Sequence, residues 1–374
     1  MKRLLVKILL AFLILVVSTL TVPSNFAQDK QDNRKDLMES YIGRWRGNIT
    51  SKNISRGGGW GNGFLGYHAI SKDVGTICFD VKFMHPLDDP AVIEETRKLG
   101  IPIEYYKNLM PIPDELTISG YAILKDFYYE YTHITREYCE ECAGKDGTTR
   151  EDFPEVVIPV SGRIDLVRNK IDFDCNIPEK HPSIVVFLSD PKLVESGKIE
   201  FNFENFEEPN DGVYAIEQIA KGELYRIYTK KDTLGKTVFI KEPIKTDKFT
   251  QREIVVPNVG EVVVNTNSEC KFNTDKELEQ MMGEIYKRIK KLPPDDFKVR
   301  TPQAVCGVRG TQFITKVNGD TTTITVYEGE VEFSDINKKK TVIVRSNQTS
   351  FCTNGGQPIE PVNIDPKQAL KWWE

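Results

Sequence analysis

The stretch VRTPQAVCGVRGTQF, residues 299–313, decides the fold more than any other part of the chain. Pro302 removes a backbone donor and keeps Thr301 extended. Glycine within a strand pattern, here at Gly307 and Gly310, indicates a bulge or the close approach of another backbone. Small or apolar side chains alternate along one side of the predicted strand, namely Ala304, Cys306 and Val308. The stretch therefore predicts a tightly packed strand.

These residues resemble the core signature of the FecR-type domain, TP-x-A-V-x-G-V-R-G-T-x-F. Residues 326–332, VYEGEVE, are similar to the hairpin that follows this signature in the family. The resemblance covers roughly the last third of the chain, and it implies an all-β module outside the cytoplasm that makes protein contacts. It assigns structural roles to Thr301, Pro302, Gly307, Arg309, Gly310 and Thr311.

Arg309 has two interpretations. It either grips a carboxylate on a partner, or it pairs across its own sheet with Glu328, Glu330 or Glu332 and holds the bulge in place. We favour the structural role.

The composition is that of a mainly β chain with enough apolar material for packed cores. The chain has 374 residues, 39% of them hydrophobic and 10% aromatic, so we expect two domains. The formal net charge is −5, and it becomes −8 without residues 1–27, which carry three bases and no acid. Because phosphate contacts need clustered positive charge, we expect no nucleic-acid partner.

The N-terminus has the pattern of an export signal. Three bases, Lys2, Arg3 and Lys7, precede the apolar run 8–20, and Ala27 offers a small residue for cleavage. We therefore predict a signal peptide over residues 1–27 and a periplasmic, cell-surface or extracellular location. The alternative is an uncleaved N-terminal anchor, which would be the chain's one attachment to a membrane.

Export favours disulfides among the seven cysteines. We predict a bridge between Cys306 and Cys352, and a local bridge between Cys139 and Cys142 within a C-x-x-C. Redox catalysis by this C-x-x-C is less favoured because its surroundings do not suggest a thioredoxin fold. Zinc is less favoured still, because a matching second pair is missing from the sequence.

Residues 36–240 predict a β-sandwich or a barrel-like domain, because short strands recur between Gly, Pro, Asn and Asp turns. One helix is predicted over 89–100. The segment Gly43-Arg44-Trp45 resembles the G-x-W of lipocalin-like barrels, in which an arginine on the last strand, here Arg226, covers the tryptophan. The alternative is an unrelated β domain with a core tryptophan.

Residues 241–252 are predicted to be a linker to a smaller all-β FecR-like domain at 253–354. Within 274–292 the apolar spacing favours a helix up to Met282 and an extended chain after Gly283. Asn318-Gly319 predicts a hairpin. The tail, 355–374, is predicted to end in a short helix that docks Trp372 and Trp373 on the body.

The sequence predicts no catalytic, cofactor-binding or metal-binding residues and no cofactor. The four histidines lack metal-site spacing, and G-x-S-x-G and phosphate-loop motifs are missing. We expect an exported, non-enzymatic envelope protein whose FecR-like domain binds an envelope protein or a glycan. The alternatives are a lipocalin-like carrier of small ligands, a regulator of envelope or iron-type signalling, and a hydrolase in the first domain.

Overall fold

The structure is a computed structural model, and it confirms that the chain is mainly β. Residues 1–24, Cys139, Cys142 and Arg309 lie outside the described part of the chain, so the predictions on them are not addressed by the fold. The described residues are 25–60, 66–98, 100, 102–109, 112–135, 147–175, 177–178, 191–195, 197–207, 214–291, 297–308, 310–365 and 372–373.

The described residues up to 233 form the N-terminal body. Its helices are α1 (Asn25–Tyr41), α2 (Pro90–Lys98) and α3 (Ile103–Leu109), with a 3₁₀ turn at Pro86–Asp88. Its strands are β1 (Gly43–Trp60), β2 (Gly66–Met84), β3 (Glu115–Thr135), β4 (Gly147–Asp152), β5 (Val156–Asp165), β6 (Lys170–Cys175), β7 (Lys192–Glu195), β8 (Lys198–Glu207) and β9 (Tyr214–Thr233).

These strands make one antiparallel sheet in the order β7–β8–β9–β1–β2–β3–β5–β6, with β4 on the second half of β3. The sheet curls around its own core. Phe173 of β6 contacts Phe201 of β8 with 5.9 Å between ring centroids, although five strands separate them in the sheet. Phe79 of β2 contacts both rings, at 5.3 and 6.2 Å. Aromatic side chains therefore fill this interior, where a carrier would need a cavity.

One end of the curled sheet is closed by the segment that resembles the lipocalin motif. Trp45 is fully buried, and its Nε1 donates to the carbonyl of Tyr41 at 2.7 Å. Arg226 lies directly opposite Trp45 in the register, and its Nη1 donates to the carbonyl of Glu39 at 2.9 Å. Gly43 has φ +141°, and a Cβ there would lie 2.9 Å from Arg226 Nε. The structure thus brings together the glycine, tryptophan and arginine that the sequence singled out.

The helix predicted over 89–100 is confirmed as α2. Asp89 Oδ1 accepts from the backbone N–H of Ala91 at 2.8 Å, which satisfies one of the free donors at the start of the helix. Gly100 follows the helix with φ +70°, a conformation that other residues adopt only with strain.

The described residues from 234 onward form the C-terminal body, in which two sheets share one apolar core. Its strands are β10 (Ile244–Lys245), β11 (Thr250–Val256), β12 (Gly260–Val264), β13 (Glu269–Thr274), β14 (Glu277–Ile289), β15 (Phe297–Arg300), β16 (Ala304–Val308), β17 (Gln312–Asn318), β18 (Thr321–Glu328), β19 (Glu330–Asp335), β20 (Thr341–Arg345), β21 (Gln348–Thr353) and β22 (Val362–Asn363). One sheet runs β11–β12–β14–β17–β18–β21–β22. The other runs β10–β13–β14–β15–β16–β19–β20.

Strand β14 belongs to both sheets, and it corrects the helix predicted up to Met282. Its first half pairs with β13 and β15, and its second half pairs with β12 and β17. The chain bends at Gly283, where φ is +82°. Residues of the apolar core fall on an even position before this bend (Leu278) and on odd positions after it (Ile285 and Ile289), while Tyr286 is buried in a separate cluster with Trp372. Because the core-facing positions change from even to odd at Gly283, the apolar residues of β14 fall at intervals that resemble those of a helix.

The predicted linker, 241–252, is instead part of the C-terminal body. Ile244 is 1% exposed and lies in its apolar core, with its strand paired to β13. Strand β11 begins within the same segment and pairs in parallel with the end of β9. These pairings fix the backbone of the segment, because its N–H and C=O groups form hydrogen bonds with strands of two sheets. The two bodies are therefore joined by continuous hydrogen bonding.

The close approach of another backbone that the sequence predicted for the signature stretch occurs at Gly310 and not at Gly307. A Cβ at Gly307 would have its nearest neighbour at 3.7 Å, an ordinary contact. Gly310 has φ +59°, and a Cβ at Gly329, with φ +85°, would lie 2.8 Å from the Gly310 carbonyl. Thr311 is buried, and its hydroxyl donates to the carbonyl of Glu330 at 3.0 Å. The two glycines allow the signature and the following hairpin to cross closely.

The other two signature residues shape the turn before β16. The Thr301 N–H donates to the Ala304 carbonyl at 2.9 Å, and Pro302 is exposed within that turn. The hairpin predicted at Asn318-Gly319 is confirmed between β17 and β18, with Gly319 at φ +54°.

The disulfide predicted between Cys306 and Cys352 is not formed in the structure, where both cysteines are free and fully buried. They lie in different sheets, with Cys306 opposite Phe333 and Cys352 opposite Thr322. Cys352 Sγ lies 3.5 Å from the carbonyl oxygen of Gln303 and 3.6 Å from that of Gly356. The Cys352 thiol therefore contacts backbone carbonyl groups.

Candidate functional site

Two arginines and one aspartate on the outer face of the N-terminal sheet form the centre of the contact between the bodies. Arg44 and Arg46 flank the buried Trp45 and point outward because side chains alternate along β1. Arg44 Nε lies 2.6 Å from Asp80 Oδ1, and Arg46 Nε lies 2.9 Å from Asp80 Oδ2. The three side chains are only 14–17% exposed, so one carboxylate is shared by two arginines in a largely desolvated place, and the three groups together carry a net charge of +1.

The C-terminal body meets these arginines with neutral polar groups. Arg46 Nη1 donates to the side-chain oxygen of Asn265 and, at 3.2 Å, to the hydroxyl of Thr266. Gln251 Nε2 lies 3.4 Å from Asn265 Oδ1. Burial lowers the pKa of Arg46, and the carboxylate of Asp80 opposes that shift. The carboxylate of Glu284 on the C-terminal body also opposes that shift, so the contact is polar and brings charges from both bodies together.

The end of the chain packs against this contact. The sequence predicted that its two tryptophans would dock on the body. Trp372 is 3% exposed, and its carbonyl accepts from Arg44 and from Gln251. Trp373 stacks on Tyr286 with ring centroids 4.4 Å apart and 8° between planes. The helix predicted for the tail falls mostly on residues outside the described ranges.

Beside this contact lies an open polar cleft of about 910 Å³ between the two bodies. We call it the polar cleft. One wall is the outer face of β8, β9, β1, β2 and β3, which contributes Asn202, Glu223, Tyr225, Asn48, Cys78 and Ile123. The other wall is the C-terminal body, which contributes Lys248, Asn265, Thr266, Asn267, Glu284 and Trp372.

Charged groups along the N-terminal wall of the polar cleft are paired with one another. Lys198 Nζ lies 2.6 Å from Glu223 Oε1, and the Tyr225 hydroxyl donates to the same carboxylate. Hydrogen bonds from Lys198 and then Tyr225 lower the pKa of Glu223. Lys221 pairs with Glu204. The lowered pKa favours the ionised form of Glu223, so this wall is suited to fixed electrostatic contacts.

A second cleft, of about 780 Å³, opens on the other side of the arginine contact. It lies between Lys82 and Tyr121 of the N-terminal sheet and Glu253, Glu261 and Trp373 of the C-terminal body. Burial raises the pKa of Glu261, to which a hydrogen bond with Glu253 contributes. Since both clefts border the same contact, any movement between the bodies changes both.

The core of the C-terminal body contains a buried lysine that sequence reasoning did not identify. Lys287 is 0% exposed, and its Nζ donates to the carbonyl of Ile285 at 3.0 Å and to Gln280 Oε1 at 3.3 Å. It also donates to the Thr315 hydroxyl. Burial lowers the pKa of Lys287 to about 7. Burial also raises the pKa of the Cys270 and Cys306 thiols to about 12, so both remain protonated beside it.

The predicted signature residues and the polar cleft occupy different places. Thr301, Gly310 and Thr311 support turns and strand crossings in the C-terminal body, and they do not line the cleft. The cleft residues were missed because each is an ordinary surface residue in its own strand. The one local signal was the pair Arg44 and Arg46 around a core tryptophan, which places two cations on the outside of a strand.

The described residues bring together no group of three or more His, Cys, Asp or Glu side chains able to hold a metal ion. None of the helices in the described ranges combines the length and the apolar composition that crossing a bilayer requires.

Comparison with known proteins identifies the C-terminal body. Residues 242–332 match the family described as FecR protein. No curated protein matches the chain. Among solved structures, an anti-sigma factor candidate from Parabacteroides distasonis is 21% identical, with a TM-score of 0.31, over 35% of this chain and 64% of its own length.

Two other solved structures overlap about half of the chain, at lower similarity. The S-type phycobiliprotein lyase CPES from Guillardia theta is 7% identical, with a TM-score of 0.18, over 56% of this chain and 100% of its own. The attachment invasion locus protein Ail of Yersinia pestis is 7% identical, with a TM-score of 0.13, over 50% and 99%. The family match and the signature at 299–313 agree, and the chain therefore carries a FecR domain in its C-terminal third.

Proposed function

We propose that this chain is an exported, non-enzymatic protein of the cell envelope whose FecR domain, fixed against the N-terminal sheet, binds a protein or glycan partner. FecR proteins are associated with the envelope, and the N-terminal sequence has the pattern of an export signal. The binding role rests on one observation, which is the polar cleft that the two bodies enclose.

The polar cleft is preformed because the bodies are held together in three ways. Strand β11 pairs with β9 across the junction. Asp80 holds Arg44 and Arg46 against polar groups of the FecR domain. Trp372 is buried at the same contact. A rigid, preformed site loses less conformational entropy on binding, and clefts between domains are common ligand sites.

The state of the carboxylates in the polar cleft favours recognition over acid–base chemistry. A general acid or base works best when its pKa lies near the operating pH. The pKa of Glu223 is instead lowered by hydrogen bonds from Lys198 and Tyr225, and Asp80 is shared by two arginines. Groups held in one charge state are suited to binding a partner without covalent chemistry.

Site-specific photo-crosslinking tests this function. A photo-reactive amino acid replaces Asn267, an exposed residue of the polar cleft, and in a second protein it replaces Asn337, an exposed residue in the turn between β19 and β20. Each protein is secreted and irradiated with envelope extract. We expect adducts with protein or carbohydrate from position 267 and none from position 337. Equal labelling at both positions, or none at either, would contradict the proposal.

A further inference from the structure

We infer that the polar cleft binds a neutral oligosaccharide, which contacts the N-terminal sheet and the FecR domain at the same time. The inference rests on the proposed function and adds the class of ligand and the residues that recognise it.

The polar cleft is large enough for such a ligand and is open enough to admit it. The polar cleft has a volume of about 910 Å³ and is open to solvent along one side. Pockets for small ligands usually measure about 300–1,000 Å³, which suits a ligand of about two or three sugar rings. An open side allows further rings of a longer chain to extend into solvent.

Hydrogen bonding in the polar cleft matches hydroxyl groups. Asn48 and Asn202 are exposed on the N-terminal wall, and Asn267 is exposed on the FecR wall. Each side-chain amide offers both a donor and an acceptor, and a sugar hydroxyl also does both. In the described part of the chain none of the three amides is engaged in a side-chain hydrogen bond. They are available on opposite walls to the same ligand.

The floor of the polar cleft adds an apolar strip beside these amides. Cys78 and Ile123 are cross-strand neighbours on the outer face of the sheet, and both are partly exposed. Tyr225 lies on the same wall but on β9, two strands away from Cys78, with its ring in edge contact with Phe249 at 5.1 Å. A sugar ring has an apolar face of C–H groups and a rim of hydroxyls, so it fits a surface where apolar and amide groups alternate.

The charges of the polar cleft argue for a neutral ligand. Asp80 is neutralised by Arg44 and Arg46, while Glu223 is paired with Lys198. Lys221 is paired with Glu204. Lys248 of the FecR wall is also in the polar cleft, with its Nζ over the rings of Tyr225 and Phe249. A phosphate or sulfate would bring its charge next to Glu200, Glu223 and Glu284, three carboxylates that line the polar cleft. A neutral hydroxyl-rich ligand binds without breaking any of the ion pairs.

Isothermal titration calorimetry with defined sugars tests this inference. The probes are neutral tri- and tetrasaccharides of glucose, mannose, xylose and N-acetylglucosamine, with sulfated trisaccharides as the charged comparison. We expect at least one neutral probe to bind with a dissociation constant below about 1 mM, at least tenfold more tightly than its sulfated form. Binding of the sulfated form alone would overturn the inference.

Matched variants locate the binding. Asn202→Ala on the N-terminal wall and Asn267→Ala on the FecR wall each remove one amide, and we expect each to weaken binding about five- to tenfold, the effect of one lost hydrogen bond. Asn347→Ala is the control, because Asn347 is exposed outside the polar cleft and has positive φ as Asn267 does (+61° and +52°), and we expect no effect on binding. Binding that all three variants leave unchanged would place the sugar elsewhere and overturn the inference.

The experiments separate this inference from the proposed function. If no sugar binds while position 267 crosslinks a protein, the inference is wrong and the proposed function stands. If no sugar binds and position 267 crosslinks nothing, both are wrong.

Discussion

Trp373 lies flat on Tyr286, with the two rings 4.4 Å apart and 8° from parallel. The stack joins the end of the chain to the middle of β14, and the neighbouring Trp372 is buried against Val263 and Ile314. Two residues at the end of the chain thereby cover the outer face of one FecR-domain sheet. They also reach the N-terminal body, because Arg44 donates to the Trp372 carbonyl.

Replacing the buried tryptophan should loosen the two bodies. We expect Trp372→Ala to lower the free energy of unfolding by about 2–4 kcal/mol, near the lower end for large aromatic truncations because the site borders the surface. In calorimetry, the wild type should unfold in a single transition and the Trp372→Ala variant in two. Phe351→Ala is the control, since that ring is 40% exposed, and it should change little. A variant that unfolds like the wild type would show that the tail is not a clamp.

Removing the shared carboxylate should be costly. Asp80→Asn leaves Arg44 and Arg46 facing each other without a counter-charge, and we expect a loss of about 2–4 kcal/mol in urea unfolding. The comparison is Asp152→Asn, whose partner Arg150 lies on an exposed surface, with side chains 50% and 69% exposed. There we expect a much smaller loss, because solvent screens an exposed ion pair. Similar losses in both variants would contradict a buried charge cluster at the contact.

Buried Lys287 should make stability depend on pH. Its folded pKa is about 7, below the 10.5 of an ordinary lysine. Between these values the unfolded chain binds a proton at Lys287 that the folded protein does not bind, so wild-type stability should rise as pH rises from about 7 to about 9. Above pH 9 the Cys270 and Cys306 thiols, with folded pKa about 12, ionise only in the unfolded chain and oppose this rise, an effect that the wild type and a Lys287 variant share.

Lys287→Met removes this dependence while keeping a side chain of similar length. Its stability relative to the wild type should be greatest at pH 7 and should fall towards pH 10, as measured by denaturant unfolding at each pH. The control is Lys316→Met, an exposed lysine on β17, which should follow the wild type. A relative stability of Lys287→Met that does not change with pH would show that the lysine is protonated in the folded protein throughout.

Gly283 and Gly235 offer a matched test of the bend in β14. Both have φ +82°, but a Cβ at Gly283 would lie 2.1 Å from Ser268 Oγ, whereas a Cβ at Gly235 would have nothing within 4 Å. Gly235→Ala should cost about 1 kcal/mol from backbone strain alone. Gly283→Ala should cost at least about 2 kcal/mol more, because strain and overlap add. Equal losses would mean that β14 does not need this close crossing.

The buried cysteines should remain thiols. Cys270, Cys306 and Cys352 are each at most 1% exposed, and burial raises the pKa of all three thiols. We expect none of them to react with a thiol reagent in the native protein and all to react in guanidinium chloride, measured by peptide mass spectrometry. A cross-linked peptide joining Cys306 to Cys352 would contradict the structure.

Sequence reasoning succeeded where an element of structure depends on a local pattern of residues. The hairpin at Asn318-Gly319 and helix α2 depend on residues that are neighbours in the chain, so both could be predicted from the order of residues. The FecR signature also extends over one continuous stretch. Strand β14 misled the same reasoning, because its alternation changes phase at Gly283 when it passes from one sheet to the other.

The order of residues by itself determined the mainly β character, the FecR domain and the docking of the last tryptophans, since periodicity, turns and large apolar side chains act at short range. Tertiary structure alone decided the polar cleft, the shared Asp80 and the buried Lys287. The physical reason is distance along the chain. Arg44 meets Asp80 across 36 positions and Trp372 across 328, and such contacts are set by how two sheets pack and not by any local pattern.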